Sequence, residues 1–510
     1  MKNILFLFIG IIAFSQNVLM DNTFGNFGAI TTNITPPYSA DLRDCFVTSQ
    51  QKIITVGAID LVDNYKYRIR LAGYLNNGTL DQNFGVNGIV DNYITESERP
   101  HCSILQLNDK LIVGGLYSNA TESGSLLLRY NSNGTYDSSF GVNGIVKIPF
   151  LNNYLEDVFD FDAISLFSNN KFIVAGSSRQ YVDEFVVEYA KLMKFNSDGT
   201  VDTSFGTNGK LTLVYPNNIN FNHIADVQVL PDDTFICAGY MLDYGREQTL
   251  VVAKFNADGT LFTSFGINGI KLIDTSSTNI EVCSKMVVKN DGTIFLAGYS
   301  NVNFMIKLLP DSNFDVSFGV NGILYPPFST RVFALQNDKI IFCSNLSIPN
   351  TTNTAYRFRR IDGNGLIDAT FNPPLDWFDY DLNEFRQYLW DIKVINNKLI
   401  SYGGARVGSN TSAGQFFLTR TLLDQNLSTT QNDKELTVAF LFPNPNKGSF
   451  TINSFNSVSV SIFDILGKAV FNQQNVSNLT PIQTQLSKGV YLVKVQEESG
   501  KTTTQKMIID

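Results

Sequence analysis

The sequence predicts an all-β protein, a seven-bladed β-propeller followed by a small immunoglobulin-like β-sandwich. Three observations carry this prediction. Strand-favouring residues abound, with 40 Phe and 21 Tyr in 510 residues, and continuous helical periodicity is absent. The pentapeptide Phe-Gly-x-Asn-Gly recurs at Phe84, Phe140, Phe205, Phe265 and Phe318. Beside it recurs an apolar strand that runs into glycine, as in Lys110 to Gly115 and Thr234 to Gly239.

The chain opens with Lys2, an apolar run from Ile4 to Phe14, and Ala13-Phe14-Ser15 before Gln16. A basic start, a short apolar region and small residues at the scissile positions predict a signal peptide over 1–15. The run is too short to span a bilayer as a helix. The first cysteine is Cys45, too far from the cleavage site for an N-terminal lipid anchor.

Looser forms of the pentapeptide stand at Phe24, Phe371 and Leu427. Successive intervals are then 60, 56, 65, 60, 53, 53 and 56 residues, which makes seven units. The strand-to-glycine pattern also occurs seven times, from Lys52 to Lys398. The unit between Gly206 and Phe265 divides into strands at 210–214, 225–230, 234–240 and 249–256. Four strands in so short a repeat fit a propeller blade, because isolated domains of that size have marginal cores whereas stacked sheets bury each other's faces.

The core of the unit, Asn196 to Gly209, resembles the delta-60 repeat family of bacterial surface and secreted proteins. The resemblance covers roughly residues 20 to 427 and implies a repeat class without a ligand. We assign 16–426 to the propeller and 427–434 to a linker.

Residues 435–510 alternate short strands with Pro and Gly, as a small β-sandwich does. Pro443-Asn444-Pro445, the turn from Asp464 to Gly467, and Gly489-Val490-Tyr491 resemble the C-terminal sorting domain of type IX secretion cargo. The resemblance implies export through the periplasm and outer membrane of a Gram-negative bacterium. It also implies recognition by the type IX machinery and its sorting peptidase, followed by release or attachment to surface lipopolysaccharide.

A net charge of -9 excludes a protein built to neutralise nucleic-acid phosphates. With only His101 and His223, histidine-based catalysis and zinc are also disfavoured. Five cysteines, Cys45, Cys102, Cys237, Cys283 and Cys343, stand singly in apolar strands. They read as buried thiols, with a Cys45–Cys102 disulfide as the alternative.

Asn196, Asp198 and Asp202 alternate like calcium ligands, but Asn-Gly and Asp-Gly are preferred hairpin turns, and other units replace the acids by Asn. The turn reading is therefore preferred and no cofactor is expected. The short turns and the pentapeptide fall on one face of an antiparallel unit, and the variable loops fall on the other. Among those loops, Trp377, Asp379, Tyr380 and Asp381, followed by Trp390, combine aromatic faces with acids that suit a sugar or a cation. The expected function is noncatalytic binding or adhesion at the cell surface. A carbohydrate-active hydrolase or lyase and a structural coat component are the alternatives.

The pentapeptide lacks the Lys-Ser/Thr of a phosphate loop and leads into a strand, so its Phe is expected to plug the space between sheets. Phe205→Ala should then cost about 3 to 5 kcal/mol, read as a lower urea midpoint; an unchanged midpoint contradicts the assignment.

Overall fold

The computed structural model describes residues 16–17, 19–26, 28–33, 39–61, 66–150, 158–182, 185–215, 219–242, 248–274, 282–347, 354–369, 371–372, 385–407, 414–423, 439–442, 446–454, 457–465, 467–477, 480–497 and 502–509. Contacts divide the chain into two units, Met1–Gln425 and Asn426–Asp510.

Unit 1 contains, among the described residues, one parallel pair, Gln16–Asn17 with Phe371–Asn372, and seven sheets of three or more strands. The first comprises Ser39–Val47, Ile53–Leu61, Lys66–Tyr74 and Ile89–Asp91, antiparallel and in chain order. Six more follow, and the first strands of consecutive sheets touch in one closed round. That round runs from Ser39–Val47 through Ser97–Leu105, Ala163–Leu166, Ile219–Val229, Val282–Val288, Val332–Gln336 and Phe385–Ile395 back to Ser39–Val47. Each neighbouring pair of sheets shares an apolar core. Between the third and fourth sheets, Ala175, Leu192 and Phe205 meet Phe235 and Phe255. Between the seventh and first, Tyr402, Phe416 and Leu418 meet Ala40, Leu42 and Tyr74. The unit is a β-propeller.

The strand after each pentapeptide belongs to the sheet already under construction, which corrects the phase expected from the repeats. Lys210–Thr212 pairs with Phe185–Phe195 of the third sheet and does not open the fourth. Two tight turns in succession are the reason. In the first sheet, a turn at Asn77-Gly78 brings Leu80 opposite Tyr74, and a second at Asn87-Gly88 sets Ile89 opposite Ala72. Asn87 and Gly88 have φ of 54° and 92°, the paired left-handed conformation that a two-residue hairpin requires and that Asn-Gly supplies at least cost. The chain is thus returned onto the strand it has just left.

With this phase the seventh sheet takes no outer strand from its own repeat among the described residues. The N-terminal segment supplies it: Ala29–Asn33 lies antiparallel to Gly414–Leu422, from Ala29 opposite Thr419 to Asn33 opposite Gln415. The Phe24 pentapeptide is therefore the seventh sheet's own, and the echo at Leu427 falls outside the described residues. The Gly25 amide donates to the Asn77 carbonyl of the first sheet at 2.7 Å, just as Gly85 donates to Asn133 and Gly141 to Asp198 at 2.8 Å. Asp21 anchors the segment. Its carboxylate meets Arg420 Nε at 2.8 Å and Lys398 Nζ at 3.2 Å, with Asp21 and Arg420 almost fully buried. Burial would raise the Asp21 carboxyl, but the Thr23 hydrogen bond, Arg420 and Lys398 hold it below the ordinary range.

Unit 2 has two sheets around one core. Ala439–Phe442, Ser449–Ser454 and Ile482–Gln483 form one, and Ala469–Val476, Val458–Phe463, Gly489–Glu497 and Thr502–Ile509 form the other. Phe450, Ile452, Val460, Ile462, Val493 and Met507 fill the space between them, as in a β-sandwich.

Asp21→Ala strands the Arg420 guanidinium in the interior and should cost about 3 to 5 kcal/mol. Amide exchange in Gly414–Leu422 should accelerate with it, and protection equal to that of the parent chain would contradict the latch.

Candidate functional site

The inner wall of the propeller is shaped by a repeated irregularity. The pairing of first and second strands slips by one residue between Leu42 and Asp44, Pro100 and Cys102, Ile224 and Asp226, Cys283 and Lys285, and Leu389 and Asp391. Arg43, His101, Ala225, Ser284 and Trp390 are the extra residues, and such bulges bend the strand and re-aim side chains. The glycine that ends the second-strand pattern makes room for the bend. A Cβ on Gly115 would lie 2.0 Å from the Arg99 carbonyl oxygen, and one on Gly239 1.8 Å from that of His223.

Just beyond the bulges, charged side chains of several sheets join. Lys393 of the seventh sheet pairs with Asp44 of the first and donates to the Cys45 carbonyl at 3.0 Å. The Tyr402 hydroxyl lies 3.2 Å from Asp44 and 3.4 Å from Asp391, within reach to donate its one hydrogen to either. Lys285 of the fifth sheet passes the sixth to reach Asp391 at 2.5 Å. Ser103 of the second sheet donates to Asp44 at 3.0 Å. Asp226 of the fourth accepts from the Val227 amide at 2.9 Å and the Met286 amide at 3.3 Å. Burial would lower the Lys393 ammonium, but Asp44 raises it, so it stays charged. Burial pushes the Asp226 carboxyl up to about 6, against the amide hydrogen bond from Met286 and the Lys285 charge. The Tyr402 hydroxyl is raised by burial and by Asp44 and Asp391, so it keeps its proton at neutral pH. These groups fasten five inner strands together.

A second cluster lies on the variable-loop side of this chain, where the first, second and seventh sheets meet. The Arg43 guanidinium sits 4.6 Å from the Trp390 ring centre, and Trp390 is 44% exposed. Arg99 lies 5.0 Å from the Tyr67 ring centre. Burial lowers the Arg43 guanidinium, Asp41 raises it, and Arg99 lowers it again. Burial, Arg99 and Arg43 together push His101 down to about 4, so it is neutral at pH 7. Arg43 Nε and Asp41 Oδ1 are buried atoms without a hydrogen-bond partner.

Of the residues singled out from sequence, Trp390 falls in this cluster. Trp377, Asp379, Tyr380 and Asp381 lie outside the described residues, as do much of the other variable loops, at 151–157 and 243–247. Arg43, Arg99, His101 and Tyr67 escaped sequence reading. A signal existed: Arg43, His101, Ala225 and Ser284 each stand fourteen positions before the second-strand glycines Gly57, Gly115, Gly239 and Gly298.

At the calcium candidate, Asp198 Oδ1 accepts from the Thr200 amide at 3.0 Å and its hydroxyl at 2.6 Å. Asp202 accepts from Ser204 at 2.6 Å and pairs with Lys171 at 2.9 Å, while Asn196 Nδ2 donates to Thr200 at 3.0 Å. These side chains brace turns. The five cysteines are free thiols, buried except for half-buried Cys102, and the Cys45–Cys102 disulfide does not form.

In unit 2, Pro443, Asn444 and Pro445 lie outside the described residues. Asp464 closes a turn in which its carbonyl accepts from Gly467 and its carboxylate from the Lys468 amide, each at 3.0 Å. Gly467 has φ of 84°, and nothing lies within 4 Å of a Cβ placed on it, so backbone conformation alone explains the glycine. Gly489 packs beside the Tyr491 ring, whose hydroxyl donates to the Ser487 carbonyl at 2.8 Å.

Residues 440–510 match the secretion system C-terminal sorting domain. Residues 106–140, 168–205 and 289–318 match a β-propeller domain of unknown function. Among characterised proteins, an endo-acting ulvan lyase of Formosa agariphila is 33% identical over 73 residues, a stretch that spans 14% of either chain. Among solved structures, PorZ, an essential bacterial surface component of the type-IX secretion system of Porphyromonas gingivalis, aligns over 92% of this chain and 70% of its own, at 10% identity and a TM-score of 0.29. Polysaccharide lyase Uly1 aligns over 79% and 92%, at 9% identity and a TM-score of 0.47. The β-propeller domain of the Trilobed protease from Pyrococcus furiosus aligns over 79% and 100%, at 9% identity and a TM-score of 0.37. The sorting domain marks export by type IX secretion to the cell surface or the extracellular space. Among the described residues no helix is long and apolar enough to cross a membrane.

Asp226→Asn tests the electrostatics of the wall. The native carboxyl keeps its proton up to about pH 6, against about 4 in the unfolded chain, so the native state binds more protons in that window and stability falls as pH rises through it. The variant should match the parent at the acid end and exceed it by roughly 2 to 3 kcal/mol at neutral pH. Urea midpoints that differ equally at both ends would contradict this.

Proposed function

We propose that this exported β-propeller, carried outward by its type IX sorting tail, acts outside the cell as a noncatalytic binding protein whose ligand sits against the inner wall on the variable-loop side. The observation that carries the reading is Trp390, an exposed tryptophan set on a bulge of an inner strand with Arg43 against its ring. A large aromatic left open on a rigid strand is a ready contact surface. The charged groups beneath it favour binding over chemistry. A hydrolase needs a carboxylic acid and a carboxylate free to exchange protons with substrate, whereas Asp44 and Asp391 are engaged by Lys393 and Lys285. In this reading the type IX machinery recognises the tail, the sorting peptidase removes it, and the propeller is released or joined to surface lipopolysaccharide.

The test compares cells that make the full chain with cells whose chain ends before residue 440. The full chain should reach the surface or medium without its tail, and the truncated one should stay in the periplasm. The exported protein should bind a member of a panel of glycans and matrix proteins without altering it, and Trp390→Ala should abolish that binding with the melting temperature kept. Conversion of a bound glycan would overturn the noncatalytic assignment.

A further inference from the structure

The geometry points to an acidic saccharide as the ligand, with its sugar ring against Trp390 and its carboxylate held between Arg43 and Arg99. This rests on the binding role proposed above and adds the chemical class. Four features of the wall lead to it.

Like charges are gathered there without, among the described residues, an ion pair between them and the neighbouring acids. Arg43 and Arg99 come from neighbouring inner strands, and Arg99 acts on Arg43 as a repelling charge. His101, on the same strand as Arg99, is pressed by both. Asp41 and Asp60 are close enough to act electrostatically on the arginines, yet among the described residues no ion pair within 4 Å joins either arginine to them. Arginines placed together and left unpaired are a cost to the fold that a bound carboxylate relieves, and their planar forks suit a carboxylate in two-point contact.

Arg43 also keeps Nε buried and without a partner, and Asp41 keeps Oδ1 in the same condition. Buried polar atoms are normally satisfied, so a donor and an acceptor left without partners two positions apart on one strand favour a ligand that offers both. A sugar with vicinal hydroxyls and a carboxylate does so. Neutral His101 adds a ring nitrogen able to accept from a hydroxyl and another able to donate to one.

Trp390 supplies the third element. One side of its ring carries Arg43 and the side chain remains 44% exposed, enough for the apolar face of a pyranose to stack. A simple inorganic anion would leave that surface unused, and a neutral sugar would leave the arginines unpaired.

Fourth, the paired groups beneath are rigid. Asp44, Lys393, Asp391 and Lys285 are joined to one another, so they compete little for the ligand and hold the strands that carry Arg43 and Trp390.

Calorimetry with the exported protein tests this, using oligogalacturonate, a neutral oligogalactoside of equal length, and free galacturonate. Oligogalacturonate should bind, and more tightly than the neutral oligomer. Arg43→Gln and Arg99→Gln should each weaken it by about ten- to a hundredfold while leaving the melting temperature within a few degrees of the parent, as expected for a lost charge-assisted contact. Arg99→Lys should restore part of the loss. Binding of free galacturonate alone would identify a monosaccharide site, and binding of the oligomer alone a polymer site; both support the inference. Equal affinity for the neutral oligomer, or indifference to both arginine substitutions, overturns the acidic class and leaves the binding role standing. Binding of a matrix protein through Trp390, with no uronate binding, does the same. Unsaturated sugar ends appearing on incubation would support the acidic class and overturn the noncatalytic role. No binding of any probe would overturn both.

Discussion

A sheet that is apolar on both faces must be covered on both faces, and in a ring this applies to the first and last sheets as much as to the rest. The device that meets the requirement is a buried set of three groups repeated around unit 1. In the second sheet, Arg129 donates to Asp137 at 2.7 Å and lies 4.6 Å from the Phe140 ring centre, while its guanidinium also reaches the Ser197 carbonyl of the next sheet. Arg360, Asp368 and Phe371 repeat the arrangement, and so do Arg420, Asp21 and Phe24. A buried ion pair stabilises little unless its remaining hydrogen-bonding capacity is met. Here a lysine at the start of the second strand, Lys110, Lys339 or Lys398, shares the carboxylate oxygen with the arginine, and the other oxygen of Asp137 and of Asp21 accepts from Ser139 and Thr23. One set therefore fixes the turn, the strand behind it and the neighbouring sheet together.

The same set explains why the chain ends and the repeat boundaries do not coincide. Among the described residues the last set takes its acid and phenylalanine from the other end of the chain, as Asp21 and Phe24. Closure in this way depends on two distant segments, since Asp21 and Arg420 are separated by 399 positions. Closing so distant a contact costs more loop-closure entropy than closing the nearer hairpins does.

Much of this was legible in the sequence, and the failures are instructive. Phe205, Asn208 and Gly209 were readable as plug and turn because their roles depend on residues within a few positions of them. The sheet phase was misread at residues 210–214, because the period of a repeat is visible whichever strand is taken as first, and only pairing decides where a sheet ends. The link between Lys398 and Asp21 was invisible for the opposite reason: each residue fits its local pattern, and nothing local says that they meet. The wall cluster was partly legible. Trp390 stood out by rarity, but Arg43 and His101 look like ordinary strand residues until the bulge removes them from alternation. The recurring second-strand glycine marked that bulge, since it is the residue onto which the inner strand bends.

The bulges also separate two fates for charge on one wall. Residues just past the slip, Asp44, Asp226, Lys285 and Asp391, stand where neighbouring inner strands converge, and there opposite charges meet and are satisfied. Residues at the slip itself, Arg43, His101, Ser284 and Trp390, are turned out of the ladder and lose the neighbours that alternation would have given them. Ser284 Oγ and Arg43 Nε accordingly have no hydrogen-bond partner. Had the unpaired groups come from flexible loops, their exposure would say little, because loops relax around whatever they meet. They come instead from strands fixed on one side by sheet pairing and beneath by the ion-paired chain, so they cannot turn to satisfy one another. Rigidity of that kind lowers the ordering cost of holding a ligand, and it makes unpaired donors on this wall a stronger sign of a binding surface than the same residues would be on a loop.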